Sequence, residues 1–249
     1  MNMTVLLACK DRAVNLKYCL ASIHTANVRP KETILVDFGS DVSLEPYQAK
    51  YPWLTIIRTT KNTKVFHKAR AFNIGLKHIS NKFVCSTDVD QIFQPNFFNV
   101  VYKTLTNKPK QFVMCRTYFW KGALPAWLTP ETVNKHYHKL RESLPTNAKR
   151  SGEGCCMAVA TQWAKNVHGW DEEYIGYGAE DSDFMFRAMF SGFKRVWLQH
   201  STSMIHLPHQ KNTKYYSWDT YIKCNRQRFN NLKRKKYTIV NLSGNWGQL

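Results

Sequence analysis

Short apolar runs separated by helical patterns constrain this chain more than any other feature. MTVLLAC (3–9) has the composition of a buried strand, and Leu16, Cys19, Leu20 and Ile23 follow at the i, i+3, i+4, i+7 spacing of one helix face. ETILVDFGS (32–40) and WLTIIRTT (53–60) read as a second and a third strand. Ala69, Phe72, Leu76 and Ile79 again repeat at helical spacing, and Phe83, Val84 and Cys85 suit the interior of a further strand. Strands alternating with helices imply βαβ units and a mainly parallel sheet. The ligands of such a sheet sit beyond the carboxyl ends of its strands. Asp11, Asp37 and Asp88 each follow one of these strands, so a single crevice can collect all three.

The last of these runs ends in FVCSTDVDQIF, with Asp88 and Asp90 one residue apart and Pro95 placed to open the next helix. Two carboxylates at the end of a buried strand repel each other, and each is costly if left unpaired. A divalent cation relieves both problems. Hard ions take carboxylate oxygens, and residues i and i+2 of an extended segment point to the same side. A polar loop that is simply acidic explains an isolated Asp-x-Asp as well, so the rest of the chain has to decide.

Farther along, QFVMCRTYFW (111–120) reads as one strand, 121–150 as an exposed basic segment with a short helix, and CCMAVA (155–160) as a return to the core. In GYGAEDSDF, Glu180, Asp181 and Asp183 follow Gly176 and Gly178, where a helix starts before residues 184–190. Acids suit a helix N-terminus on dipole grounds alone. The functional alternative is a carboxylate that deprotonates an acceptor hydroxyl, with the glycines leaving room for a substrate. VWLQH reads as a strand, and MIHLPH after it offers His206 and His209. Imidazole joins carboxylates on transition ions such as manganese, although a lone histidine is more often structural. Neither a complete GxGxxG nor a GxxxxGK[ST] occurs, so a diphosphate would have to be held by a carboxylate-bound metal instead of a backbone cradle.

The 249 residues, 43% hydrophobic and 14% aromatic, suffice for one large α/β domain and are not a disordered tail. No apolar run approaches the roughly 18 residues of a membrane span, and MNMTVLLACKDR reads as a first strand, not a signal peptide. Seven cysteines without a CxxC pair argue against zinc and fit a reduced, cytoplasmic setting. Thirty-six Lys and Arg against 17 Asp and Glu give a net charge of +19. Such an excess favours polyanions (nucleic acid, anionic lipid surfaces or acidic glycans), although a coding bias toward lysine accounts for it too. Within 211–236, nine Lys or Arg stand against one acid, Asp219. Tyr215, Tyr216, Trp218, Tyr221 and Phe229 among them either stack on bases or form the buried face of an ordinary helix. With no repeat or clear boundary, we expect one domain over 1–249. Its halves are 1–100 and 101–210, followed by a basic aromatic tail, 211–249.

Four stretches, in order over roughly residues 3–210, carry a family resemblance. LLACKDRAVNLKYCLASI with ILVDFGS resembles the opening of family-two glycosyltransferases, which usually have Asp-Asp-Gly-Ser where this chain has Asp37-Phe38-Gly39-Ser40. FHKARAFNIGL (66–76) resembles the Phe-x-Arg-Ala-x-x-x-Asn-x-Gly segment of the β-1,4-galactosyltransferases, and FVCSTDVDQIFQPN resembles their Asp-Val-Asp region. GWDEEYIGYGAEDSD resembles their Trp-Gly-Trp-Gly-Gly-Glu-Asp-Asp-Asp loop and the similar loop of chondroitin-polymerase-type enzymes.

The resemblance implies a GT-A fold: α/β, with a single Rossmann-like, mainly parallel sheet flanked by helices. It implies a nucleotide-sugar donor, UDP-linked by preference, and Mn2+ or Mg2+. By position, Asp37 would contact the nucleoside and Phe66 would pack on the uracil, with Lys10 and Arg12 of the first loop also on the donor. Lys68 and Arg70 would neutralise the diphosphate. Asp90 would bind the metal directly, with Asp88 close by on the donor or the metal. His206 would complete the metal site, with His209 as the substitute. Asp181 would be the catalytic base, Glu180 would hold substrate hydroxyls, and Tyr177 would contact donor or acceptor. Lys68 for Arg, Tyr177 for Trp and Ala179 for Gly depart from the galactosyltransferase pattern and bear on donor and acceptor identity. The family's Golgi anchor and stem have no counterpart here, which fits a cytoplasmic enzyme of bacterial or viral origin, free or peripheral to an anionic membrane.

The leading expectation is thus an inverting, metal-dependent glycosyltransferase with an anionic acceptor: an acidic or lipid-linked glycan slightly preferred, hydroxymethylated DNA in a phage-type enzyme as the alternative. A metal-dependent phosphoesterase or nuclease explains the charge but not Phe66 or Asp37. A non-catalytic nucleic-acid-binding module leaves the acidic loop unexplained.

Overall fold

The computed structural model describes residues 1–60, 65–108, 110–145, 150–151, 154–198, 200–209 and 218–249. Lys211, Lys214, Tyr215 and Tyr216 of the tail, and the side chains of Trp218 and Asp219, lie outside them. Strand β1 (Met3–Cys9) is buried at every residue. β2 (Glu32–Asp37) is buried from its second residue, and β4 (Phe83–Asp88) through its fifth. Strands apolar on both faces need cover on both, which helices of βαβ units supply. α1 (Ala13–His24) buries Leu16, Cys19, Leu20 and Ile23, and α3 (Lys68–His78) buries Ala69, Phe72 and Leu76. The expected helical spacings therefore mark the faces that pack. α3 lies so close to the sheet that a Cβ on Gly75 would stand 2.3 Å from Leu6 Cδ1. Only glycine permits that approach.

The remaining elements are α2 (Glu45–Lys50), β3 (Leu54–Arg58), β5 (Gln91–Phe93), α4 (Phe97–Asn107), β6 (Gln111–Met114), β7 (Thr117–Phe119), α5 (Tyr137–Glu142), β8 (Arg150–Ser151), β9 (Cys156–Ala160), α6 (Thr161–Asn166), α7 (Glu180–Phe190), β10 (Lys194–Trp197), β11 (Met204–His206) and α8 (Trp218–Lys235). Among the described residues a seven-stranded sheet runs β10-β6-β9-β4-β1-β2-β3. Its pairs are parallel except where β9 meets β4 and β6. The chain is therefore α/β with a mainly parallel sheet. From β1 it winds outward to β2 and β3, then returns to β4 on the other side of β1, so the strand order reverses there. The register sets Ala8 opposite Asp88, Cys9 opposite Asp37, and Asp37 opposite Arg58.

Two expectations need correction. QFVMCRTYFW is not one strand: β6 stays in the large sheet, and β7 joins a second sheet, β5-β11-β7-β8. Thr117 makes the switch favourable, because its buried hydroxyl bonds Gln91 Oε1 (2.8 Å) and the Met204 carbonyl (3.2 Å). The segment 121–150 is also not simply exposed. Leu128, Val133, Tyr137 and Leu140 form an apolar cluster with Ile205 and Leu207, which underlies the second sheet.

The tail folds as an ordinary packing helix on its inner side. Phe229 meets Phe186 edge-on at 5.3 Å, Leu232 is buried, and Arg228 forms a two-pronged bond to buried Asp171 (2.6 and 3.0 Å). α7 is tied down by Asp183 and Arg187, both fully buried and 2.6 Å apart. The Arg187 guanidinium also donates to the carbonyls of Gly169 and Thr238. Removing one partner of such a pair strands a charge in the interior. Asp183→Ala is therefore expected to lower unfolding free energy by about 3–5 kcal/mol in urea melts. A loss below about 1 kcal/mol, the range of an exposed pair, would contradict this reading.

Candidate active site

The three acids that follow strands do gather at one end of the sheet, but their fates differ. Asp37 is wholly buried, its Oδ1 accepting from Ser40 N (2.9 Å) and its Oδ2 from Arg58 (3.0 Å). Asp11 Oδ1 accepts from Asp41 N (2.8 Å), and Lys10 Nζ donates to the Gly39 carbonyl (3.0 Å). These groups stitch the first two loops together. Asp37 and Arg58, the latter a third exposed, line a cleft of about 470 Å³ with Leu44, Glu45, Gln48 and Ile56.

At the end of β4 the chain makes two separate groups from Asp88 and Asp90. Asp88 meets Lys68, whose Nζ lies 3.0 Å from Asp88 Oδ1, 2.9 Å from Asp181 Oδ2 and 3.8 Å from Glu180 Oε1. Lys68 comes from the first residue of α3 and the two acids from the first turn of α7, so one ammonium holds three elements together. Burial alone would lower the Lys68 pKa, but Asp181, Asp88 and Glu180 reverse this and raise it well above the usual lysine value. Burial pushes the Asp181 carboxyl up to about 8; Lys68 opposes the shift, and Glu180 and Asp88 add to it. Asp181 Oδ1 is buried and has no hydrogen-bond partner among the described residues. A carboxyl in this state suits proton transfer near neutral pH. Asp183, the neighbouring candidate, is excluded by its pairing with Arg187.

Asp90 turns the other way. β11 pairs antiparallel with β5, setting His206 opposite Gln91, the residue after Asp90. His206 Nε2 comes within 3.3 Å of Asp90 Oδ1, and His209 Nε2 within 3.1 Å of Asp90 Oδ2. Their ligand atoms lie within 4.8 Å of one another. Burial disfavours the Asp90 charge, but His209 and His206, with Arg12 nearby, outweigh it and hold the carboxyl below its usual range. Asp90 Oδ1 is buried yet accepts no hydrogen bond among the described residues. A carboxylate and two imidazoles with an unused oxygen between them fit a transition ion such as manganese. Two details of the sequence reading change: Asp88 is outside this group because Lys68 takes it, and His209 joins His206 instead of replacing it.

The other candidates surround these two groups. Phe66 is half-buried, edge-on to Phe38 at 6.0 Å. Tyr177 is 53% exposed, on the loop before the α7 acids. Arg70 is not brought into the cluster: its Nε donates to the Gln248 carbonyl at 3.2 Å. Three residues had drawn no role from the sequence. Phe119, partly exposed, lies 4.7 Å from His206, ring to ring. A Cβ on Gly154 would stand 1.9 Å from Asp181 Oδ2, so the glycine is what admits that carboxylate. Asn73 donates to the Trp170 carbonyl (2.7 Å) and accepts from Trp170 N (2.7 Å), stapling α3 to the loop that carries the acids. Asn73 lies within the Phe-x-x-Ala-x-x-x-Asn-x-Gly pattern, which could have flagged it; Phe119 and Gly154 carry no such signal.

Comparison with known proteins bears on this geometry. A family model described as glycosyl transferase family 2 matches residues 4–167, and one described as the N-terminal domain of galactosyltransferase matches residues 135–210. No curated protein matches the chain by sequence. Solved structures share the fold. S. aureus TarS in complex with UDP-GlcNAc has a TM-score of 0.63 at 15% identity, over 87% of this chain and 62% of that one. The mannosyltransferase PcManGT from Pyrobaculum calidifontis, in complex with GDP-Man and Mn2+, has 0.63 at 18%, over 95% and 64%. GalNAc-T7 with UDP, GalNAc and Mn2+ has 0.68 at 12%, over 92% and 47%. The chain thus spans less than two thirds of each of these structures.

The donor set makes a direct prediction. Manganese titrated into the protein, followed by calorimetry or by loss of the free-ion electron paramagnetic signal, should bind at one site. Asp90→Ala should abolish this binding, and His206→Ala and His209→Ala should each weaken it by at least about tenfold. Asp88→Asn should leave it largely intact. Equal loss on Asp88→Asn would restore Asp88 as a ligand.

Proposed function

The chain belongs to glycosyl transferase family 2, and from that premise we propose that it is a metal-dependent, inverting glycosyltransferase. It moves a sugar from a nucleotide-sugar, UDP-linked by preference, to a hydroxyl of an anionic acceptor. One observation carries the reading: the end of β4 sends Asp90 to two imidazoles and Asp88 to the Lys68–Glu180–Asp181 cluster, so a metal group and a proton acceptor flank one crevice. The nucleotides and Mn2+ bound in structures of the same fold support the choice of donor and ion.

The roles follow from the chemistry of the side chains. When bound by Asp90, His206 and His209, a divalent ion supplies Lewis-acid charge for the departing diphosphate. Lys68, with its ammonium already among carboxylates, is the protein's own cation for that group. Asp181 takes the acceptor proton while the acceptor oxygen forms its bond to the sugar C1 and the bond from C1 to the nucleotide diphosphate breaks. Glu180 accepts from Gly178 N through Oε2 at 3.1 Å and faces Lys68 with Oε1 at 3.8 Å, where it also meets substrate hydroxyls. Tyr177 offers an exposed ring on the loop before α7, and Phe119 one beside His206.

An anionic glycan, free or lipid-linked, is the preferred acceptor, in a cytoplasmic enzyme that associates at most peripherally with a membrane. No described helix is long and apolar enough to cross one. DNA draws less support. Of the aromatic tail residues proposed to stack on bases, Phe229 packs on Phe186, and Gly176 leaves no room between its backbone and the Tyr221 ring.

The test is kinetic. Asp181→Asn keeps the shape but accepts no proton, so turnover should fall by roughly 10²- to 10⁴-fold while donor KM hardly changes. Because the Asp181 carboxyl is raised to about 8 and must be deprotonated to act, kcat/KM should climb with pH toward about 8 and level off above it. Normal turnover by the Asn variant would move the base elsewhere. A product that retains the donor's anomeric configuration would overturn direct displacement.

A further inference from the structure

α8 has two faces with different chemistry. The inner face braces the loop ahead of the catalytic acids. Asn225, buried, donates from Nδ2 to the carbonyls of Ile175 and Tyr177, both at 3.1 Å. Gly176, at φ 75°, leaves no space for a Cβ, which would meet the Tyr221 ring at 2.9 Å. The outer face opens a cleft of about 540 Å³, lined by Ile222, Lys223, Arg226, Gln227, Asn230 and Asn231. That cleft adjoins the catalytic loop: Ile222 Cγ1 lies 3.9 Å from where a Gly178 Cβ would stand, and Gly178 N donates to Glu180.

We propose that this cleft is a subsite for an anionic glycan, holding a carboxylate- or sulfate-bearing sugar of the acceptor next to the one being extended. The inference rests on the glycosyltransferase reading and adds to it the place where the acceptor's anionic sugar is held. Lys223 and Arg226 are exposed, and among the described residues neither has an ion-pair or hydrogen-bond partner. Two cations a turn apart on one stripe of α8 are matched by an anion. The three amides, which both donate and accept, suit sugar hydroxyls. The cleft is large enough for a small saccharide. Among the described residues no aromatic side chain lines it: Phe229 packs on Phe186, and the Tyr221 ring stands against Gly176. Of the polyanions that the net charge admits, the observations favour the glycan.

The experiment measures binding of defined probes to the full chain by calorimetry: hyaluronan hexasaccharide for carboxylates, heparin hexasaccharide for sulfates, the neutral chitohexaose, and a short duplex DNA. The paired variant Lys223→Ala/Arg226→Ala alters only exposed side chains, and its melting curve should match the parent's. At about 50 mM salt at least one acidic hexasaccharide should bind, and bind about tenfold or more weakly to the paired variant. Its affinity should also fall as salt is raised to about 200 mM. Gln227→Ala/Asn230→Ala should weaken binding of the same probe at both salt levels, which loss of charge alone does not explain. Nucleotide binding should be the same in all forms; its absence even in the parent would count against the glycosyltransferase reading, not against this cleft. Equal binding of chitohexaose, or unchanged acidic-probe binding by the paired variant, would overturn the proposal. Tighter binding of duplex DNA, lost on Lys223→Ala/Arg226→Ala, would overturn it in favour of a nucleic-acid surface.

Discussion

One ammonium group holds the centre of this protein together. Lys68 draws Asp88 from the end of β4 and Glu180 and Asp181 from the start of α7 to within 3.8 Å of its Nζ. Without it, three carboxylates would share a poorly solvated crevice, each disfavouring the charge of the others. With it, Asp181 is still pushed up to about 8, because one cation does not offset burial and the two neighbouring carboxylates of Glu180 and Asp88. The same geometry ties α3 and β4, in the first half of the chain, to α7 in the second. Lys68 is therefore a structural tie as well as the cation proposed to face a diphosphate.

That arrangement depends on how firmly the loop before α7 is held. Asn73 staples it to α3, and Arg187 reaches the Gly169 carbonyl from the buried pair with Asp183. Arg228 clasps Asp171, and Asn225 caps two carbonyls next to Tyr177. Trp170 stacks on Phe184 at 4.1 Å between ring centroids, in the core beneath. Each bond satisfies a polar group that would otherwise be buried alone, so the supports act together in placing Glu180 and Asp181. The basic tail, conspicuous in the sequence for its charge, contributes its inner face, Asn225 and Arg228 included, to this work.

The pair Asp88 and Asp90 illustrates how a short motif acquires meaning. An Asp-x-Asp at a strand end suggests a shared cation because i and i+2 point the same way in an extended chain. Here β4 ends at Asp88 and a turn follows, so the alternation no longer applies at Asp90. One carboxylate finds an ammonium, the other two imidazoles. The surroundings divide between them: one joins the Lys68–Glu180–Asp181 cluster and the other the candidate ion site.

Periodicity was enough to expose the framework. The strands at 3–9, 32–37 and 83–88, the buried faces of α1 and α3, and the mainly parallel sheet were all legible, because local hydrophobic spacing reflects which side of an element is covered. The acids at strand ends and the two histidines stood out by residue type. What the sequence could not reveal is which of these groups face each other. The split of residues 111–120 between two sheets rests on Thr117 bonding residues 26 and 87 positions away. The inward turn of Asp37 depends on Arg58 across the strand pair, and the diversion of Arg70 on the carbonyl of Gln248. The meeting of His206 and His209 on Asp90 follows from the pairing of β11 with β5. Residue types and spacings are local properties, so the chain by itself determined the elements and the kinds of chemistry available. Pairing partners are set by strand register and helix docking over long separations, and those only the tertiary structure decided.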